Sequence, residues 1–202
     1  MSMVDKQQSG FALLVSLIVV GAVLSVGLVI LDLTIKQVRL AATTKDSEIA
    51  FHAANAGMEC ARYWRRTEAD NIVAGNDMTG VTCFGEFADV DPVTATEVTG
   101  SIVGGGSAHQ YEYQFSWGPT DARRCTRINQ VSIVTPISDP DAVMTVDSMA
   151  SLIPGYPGSA DVTCPAGSQC TTIAVRGYNQ ECPSAGSNFG YGVVERKVLL
   201  EF

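Results

Sequence analysis

Residues 11–31, FALLVSLIVVGAVLSVGLVIL, run without one charged side chain, and Ser16 and Ser25 are the only polar ones among them. A helix apolar on every side must be surrounded by lipid or by other apolar helices. At about 1.5 Å of rise per residue this one crosses a hydrocarbon core roughly 30 Å thick. A cleavable secretory signal has a shorter apolar run, about 7 to 15 residues, ending in a small-residue cleavage site. Here Asp32, Leu33, Thr34 and Ile35 follow, and no A-x-A triplet closes the run. Residues 11–31 are therefore expected to be a transmembrane helix.

No proline occurs between this run and Arg66, and the only glycine there is Gly57. Ile49, Ala53, Ala56, Cys60 and Trp64 recur at three- and four-residue intervals, which predicts one apolar stripe on a continuing amphipathic helix. Small residues crowd the same region (Ala50, Ala53, Ala54, Ala56, Gly57), so another backbone can approach closely. The spacing predicts a single helix over 11–67, on the order of 85 Å long. Only its first half can lie in lipid.

Charge divides at the same place. The chain of 202 residues has a formal charge of −8, but residues 1–66 carry +2 and residues 67–202 carry −10. A negative balance offers no general attraction to phosphate backbones or anionic lipid, and no nucleic-acid partner is expected. Five of the six cysteines (Cys83, Cys125, Cys164, Cys170, Cys182) follow residue 80, with Cys60 alone before it, and no C-x-x-C pair occurs. That usage points to disulfides in an oxidising compartment.

Ahead of the apolar run stands MSMVDKQQSG, a polar leader containing Lys6 and ending in Gly10, with Phe11 immediately after it. A short polar leader, a glycine, a phenylalanine, a spanning helix and an amphipathic continuation together resemble the class III signal of type IV pilins and type II secretion pseudopilins. The stretch SEIAFHAANAGMECARYW is similar to the helix end of pilin-like proteins, particularly minor pilins of the PilX type. The resemblance covers residues 1 to about 67. It implies cleavage by a prepilin peptidase after Gly10, methylation of the new terminus at Phe11, and assembly with other pilin or pseudopilin subunits. Major pilins of the family carry a glutamate at the fifth mature position, where this chain has Val15. A membrane-buried carboxylate costs roughly 2.5–3.5 kcal/mol on insertion scales. In the family it meets the free amine of a neighbouring subunit. Val15 cannot make that contact, which favours a minor or tip-proximal subunit.

Topology has two indicators that disagree. Lys6 on one side of the span against Lys36, Arg39 and Lys45 on the other would leave the large region in the cytoplasm by the positive-inside rule. The cysteines and the leader place that region outside, and this is the expectation adopted: a single-pass protein of the cytoplasmic membrane with an exported head, found at the pilus or cell surface after assembly.

Residues 68–202 are expected to form that head, a disulfide-bearing and β-rich domain. In YEYQFSW, residues 111–117, Tyr111, Tyr113, Phe115 and Trp117 alternate with polar side chains and define a half-buried strand. Residues 97–103, before Gly104, Gly105 and Gly106, are expected to pair with it as a hairpin. Residues 127–134 and 171–176 are further strands, and the alternation of Val194, Arg196, Val198, Leu200 and Phe202 predicts a last paired strand. Residues 139–153 fit a helix as well as a strand. An antiparallel sheet with one apolar face needs a cover. The small-residue stripe of the helix supplies it, giving an α+β fold of long N-terminal helix on antiparallel sheet.

Six cysteines allow fifteen pairings. Cys164 with Cys170 closes a short loop, Cys182 can join either, Cys83 with Cys125 would tie adjacent strands, and Cys60 can anchor helix to head. A zinc site from Cys164, Cys170, Cys182 and His109 has unconventional spacing, so no metal is assigned. His52 and His109 belong to no hydrolase motif. Two D-x-D pairs, Asp89 with Asp91 and Asp139 with Asp141, could supply oxygens to calcium, but such pairs also cap turns. Arg123, Arg124 and Arg127 form a basic cluster that pairs more readily with the surrounding carboxylates than with a polyanion. No Gly-rich phosphate loop follows a strand, so no cofactor is expected and the chain is read as a structural protein without a catalytic residue. The alternative is an uncleaved single-pass membrane protein whose extracytoplasmic head binds a ligand or partner; an intact Met1 terminus distinguishes it.

Overall fold

With no proline before Pro92, nothing interrupts the backbone hydrogen bonding of the N-terminal region, and α1 (Asp5–Thr67) runs 63 residues. The computed structural model describes residues 5–98, 102–103, 105–135, 143–158, 161–184 and 188–202. The helix begins earlier than the apolar run, at Asp5. Arg65 and Arg66 complement the negative end of the helix dipole. A single turn-and-a-half, α2 (Ala69–Ala74), follows and is closed by Gly75 in the left-handed conformation, φ 70°. The chain divides into two units, Met1–Lys45 and Asp46–Phe202, so the globular unit includes the closing turns of α1.

The remaining elements are short strands and two long hairpins. They are β1 (Thr82–Cys83), β2 (Glu86–Phe87), β3 (Ala95–Glu97), β4 (Ile102–Val103), β5 (Ser107–Trp117), β6 (Arg124–Val134), β7 (Met144–Val146), α3 (Met149–Leu152), β8 (Val162–Cys164), β9 (Gln169–Tyr178) and β10 (Glu195–Glu201). The main sheet is antiparallel in the order β10-β9-β6-β5-β3. A second sheet, β4-β7-β8, and the β1-β2 hairpin stand apart from it. The α+β layout read from the sequence holds, with three corrections.

The first concerns residues 97–103. Ala95, Thr96 and Glu97 pair with Tyr111, Gln110 and His109 of β5, but Ile102 and Val103 pair with Val146 and Thr145 of β7. One hairpin was expected, and the segment instead serves two sheets. The second concerns 139–153, where a helix was an option. β7 occupies 144–146 and only one helical turn, α3, follows; Asp139 to Ala142 lie outside the described residues.

The third correction is that the main sheet buries both faces. Tyr111, Tyr113 and Phe115 of β5, Ile128 of β6, and Ile173 and Val175 of β9 pack against Met58 and Ala61 of α1 and Ile72 of α2. On the opposite face Ala108, Val131, Ile133 and Ala174 pack against Met144, Val146, Met149, Ile153 and Cys164. β6 is central and covered on both sides, so its burial is nearly continuous instead of alternating.

The stripe of α1 that meets the sheet is Ala50, Ala53, Ala54, Gly57, Met58, Ala61 and Arg65. It sits one residue round from the predicted one, and Ile49, Cys60 and Trp64 flank it, half-buried. The smallest side chains take the closest approach because the sheet presents Gly177 there, with Ala50, Ala53 and Ala54 directly against it.

Candidate functional site

Every residue of α1 from 11 to 45 is exposed. Phe11, Leu13, Leu17, Val23 and Leu28 each have about two thirds of their surface or more uncovered. An apolar surface of that extent marks contact with lipid or with other apolar chains. The segment is long and apolar enough to cross a membrane, with a mean hydropathy of 2.9 over its most apolar window. Its few hydroxyls are satisfied within the helix. Ser16 donates to Leu13 O at 2.9 Å, Ser25 to Ala22 O at 2.8 Å and Thr34 to Ile30 O at 2.8 Å. Such back-bonding removes the cost of an unpaired polar group in hydrocarbon. The first ion pair, Asp32 with Lys36 at 2.8 Å, comes just past the uncharged run.

Gly10 and Phe11 lie side by side within α1. Glycine is the poorest helix former after proline, by about 1 kcal/mol relative to alanine. Val15 is part of the same uninterrupted apolar surface.

All six cysteines are bonded. Cys60 of α1 joins Cys83 of β1, Cys125 at the start of β6 joins Cys182, and Cys164 joins Cys170 across β8 and β9. Cys83 thus bonds the helix and not Cys125, because β1 lies beside the end of α1, where Trp64 Nε1 also donates to Thr82 O at 2.9 Å. With their sulfurs in disulfides, Cys164, Cys170 and Cys182 supply no thiolate for the zinc option. Among the described residues no group of three His, Cys, Asp or Glu side chains is arranged to hold a metal.

The acidic pair that is described acts on the backbone. Asp89 Oδ1 accepts from the Gln114 amide at 2.9 Å and Asp91 Oδ1 from the Gly80 amide at 2.9 Å, bonds that join segments distant in sequence and are not the local turn caps that such pairs commonly make. Asp141, like Asp139, falls outside the described residues. The arginine cluster disperses. Arg123 reaches Glu86 at 3.1 Å and Glu181 at 3.4 Å, Arg124 lies over the Trp117 ring, and Arg127 turns to the opposite face. His52 is exposed beside Glu48. His109 packs on Gly75 with its Nδ1 buried and without a hydrogen-bond partner among the described residues.

Two features were not visible in the sequence. Arg65 is buried between helix and sheet without an ion pair among the described residues, donating instead to Thr171 Oγ1 at 2.9 Å and Gln169 Oε1 at 3.2 Å. Burial lowers its pKa, and the charge of Tyr111 opposes that shift. On the face of the sheet away from α1, Arg127, Arg176 and Lys197 stand opposite one another on β6, β9 and β10. Their positions, 127, 176 and 197, become neighbours only through strand register.

No protein-family model, curated protein or solved structure matches the chain.

Proposed function

We propose that the chain is a structural subunit of a filament, a minor or tip-proximal pilin-like protein of a type IV pilus or a type II secretion pseudopilus. The observation that carries this reading is the unbroken helix α1, wholly exposed and apolar over residues 11–31 and joined to a disulfide-bonded α+β unit. The polar leader ending in Gly10 supports it. In this reading a prepilin peptidase cuts after Gly10, methylates Phe11, and releases a helix that first spans the cytoplasmic membrane. The same apolar surface then leaves lipid and packs against the equivalent helices of other subunits, since what satisfies hydrocarbon also satisfies a neighbouring apolar helix. Val15 leaves no carboxylate to receive the amine of a subunit above, which suits a minor or terminal position. Three disulfides favour a head outside the reducing cytosol.

Co-expression with a prepilin peptidase followed by intact-mass measurement tests the reading. A product beginning at Phe11, absent when Gly10→Leu is substituted, is the expected result. An unprocessed Met1 terminus with no filament association would replace it with a single-pass membrane protein.

A further inference from the structure

Arg127 is directly opposite Arg176 in the β6-β9 register, and Arg176 is directly opposite Lys197 in the β9-β10 register. Gln114 of β5 extends the row beyond Arg127. Side chains so opposed lie about 4.5–5.5 Å apart at Cβ, and like charges there are destabilising. Residues 67–202 contain six basic side chains against sixteen acidic ones, so half of the scarce cations are gathered in one repulsive row. Among the described residues no carboxylate oxygen comes within 4.0 Å of a side-chain nitrogen of Arg127, Arg176 or Lys197. The Lys197 pKa is lowered by burial and then by Arg176, with Glu195 acting in the opposite sense.

Arg127 and Arg176 line a cavity of about 280 Å³, together with Asp89, Glu112, Gln114 and Asn129. Among the described residues Arg127 hydrogen-bonds through its Nε, donating to Gln114 Oε1 at 2.7 Å. Its guanidinium stands 4.9 Å from the Phe189 ring centre, beside the stacked pair Tyr178 and Phe189. Its terminal nitrogens, and the whole guanidinium of Arg176, make no hydrogen bond among the described residues. The acids of the wall are held in place. Glu112 Oε1 accepts from the amides of Asn129 at 2.5 Å and Gln110 at 3.1 Å, and Asp89 Oδ1 accepts from the Gln114 main chain.

We propose that this cavity binds a hydroxylated carboxylate, an acidic sugar unit of the uronic type, with its carboxylate on Arg127 and Arg176. Planar guanidinium donors suit a carboxylate's two oxygens. Asp89 and Glu112 give acceptors for ring hydroxyls and the Gln114 side-chain amide a donor, while Asn129 spends its own N–H groups on Glu112 and Leu152. Those two acids also argue against a bare phosphate, which would bring more negative charge and fewer hydroxyls to face them. The volume lies just below the usual range of small-ligand sites, about 300–1,000 Å³, which limits the occupant to one ring unit. Local repulsion kept in a row that no ion pair among the described residues relieves is a conflict of the kind expected at a functional site.

The test uses the full chain in detergent, with glucuronate, glucose and inorganic phosphate as probes, read by titration calorimetry and thermal melting. Glucuronate is expected to bind saturably and raise Tm, with glucose and phosphate weaker by about tenfold or more, the scale of losing charged hydrogen bonds. Arg176→Gln should weaken glucuronate by at least the same factor while leaving the unliganded Tm unchanged or higher, because it relieves repulsion. Arg176→Lys, which keeps the charge but not the fork, should bind between the two. Absent glucuronate binding, equal binding of phosphate or glucose, or an Arg176→Gln chain that binds normally or melts lower would each overturn the proposal.

Discussion

Gly177 of β9 lies against the backbone of Ala53 in α1, so close that a Cβ at Gly177 would stand 2.8 Å from the Ala53 carbonyl carbon. Real Cβ atoms do not approach backbone that closely, and the obstacle is main chain, which cannot rotate away. Gly177→Ala should therefore push helix and sheet apart, costing about 3 kcal/mol, the upper end for overpacking, and lowering Tm by roughly 5–10 °C. Gly21→Ala is the control, because nothing lies within 4 Å of the new methyl group. Thermal melts followed by circular dichroism compare them, and equal melting of the two would refute the close-approach argument.

A single hydroxyl connects the same two layers. Thr126 Oγ1 donates to Ala53 O at 3.1 Å and accepts from Trp117 Nε1 at 2.9 Å, fully buried. Thr126→Val keeps the shape but removes the acceptor of Trp117 Nε1, while Ala53 O keeps its bond within α1, so a loss of about 1–3 kcal/mol is expected. Thr126→Ser keeps the hydroxyl and should lose less. Denaturant titration monitored by tryptophan fluorescence measures the difference; a valine variant as stable as wild type would show that the hydroxyl contributes nothing.

The three disulfides close loops of very different length, with sequence separations of 57 for Cys125–Cys182, 23 for Cys60–Cys83 and 6 for Cys164–Cys170. The chain-entropy model assigns them about 4, 3.5 and 2 kcal/mol. Paired Cys→Ala variants should lose stability in that order. A reversed order in chemical denaturation would mean that native packing around each bond outweighs loop closure.

Alkaline pH should weaken the globular unit over a defined range. Tyr111, Tyr156 and Tyr178 each have a pKa raised to about 12. Burial is the main cause in all three, reinforced by the Asp77 charge for Tyr111 and by hydrogen bonds to Glu201 and Glu195 for Tyr156 and Tyr178. Unfolded tyrosine titrates near 10, so the folded state holds these protons longer and unfolding releases them. The stability is complete below about pH 10 and falls as pH rises toward 12. Denaturation curves across that interval should show the decline, and Tyr178→Phe should make it shallower. An unchanged slope in that variant would remove Tyr178 from the account.

Local rules carried much of the architecture. The uninterrupted helix follows from an apolar run without breakers, and the strand at Tyr111, Tyr113, Phe115 and Trp117 from strict alternation. The apolar surface after Phe11, which carries the proposed function, was legible for the same reason. Alternation failed for β6, since a strand covered on both faces has no polar side to display. It also gave no sign that Ile102 and Val103 would leave the main sheet for β7. Short strands contribute too few residues for any period to emerge.

The sequence by itself determined the long N-terminal helix, the longer strands of the main sheet, and that residues 11–31 have no polar side to turn toward water. Those properties depend on neighbours a few positions apart. The tertiary structure alone decided that Cys83 bonds Cys60, that Gly177 meets Ala53, and that Arg127, Arg176 and Lys197 stand in one row. Each of these joins residues well separated along the chain, and their meeting depends on strand register and on how closely a helix can approach a sheet. Both are set by packing the whole globular unit at once.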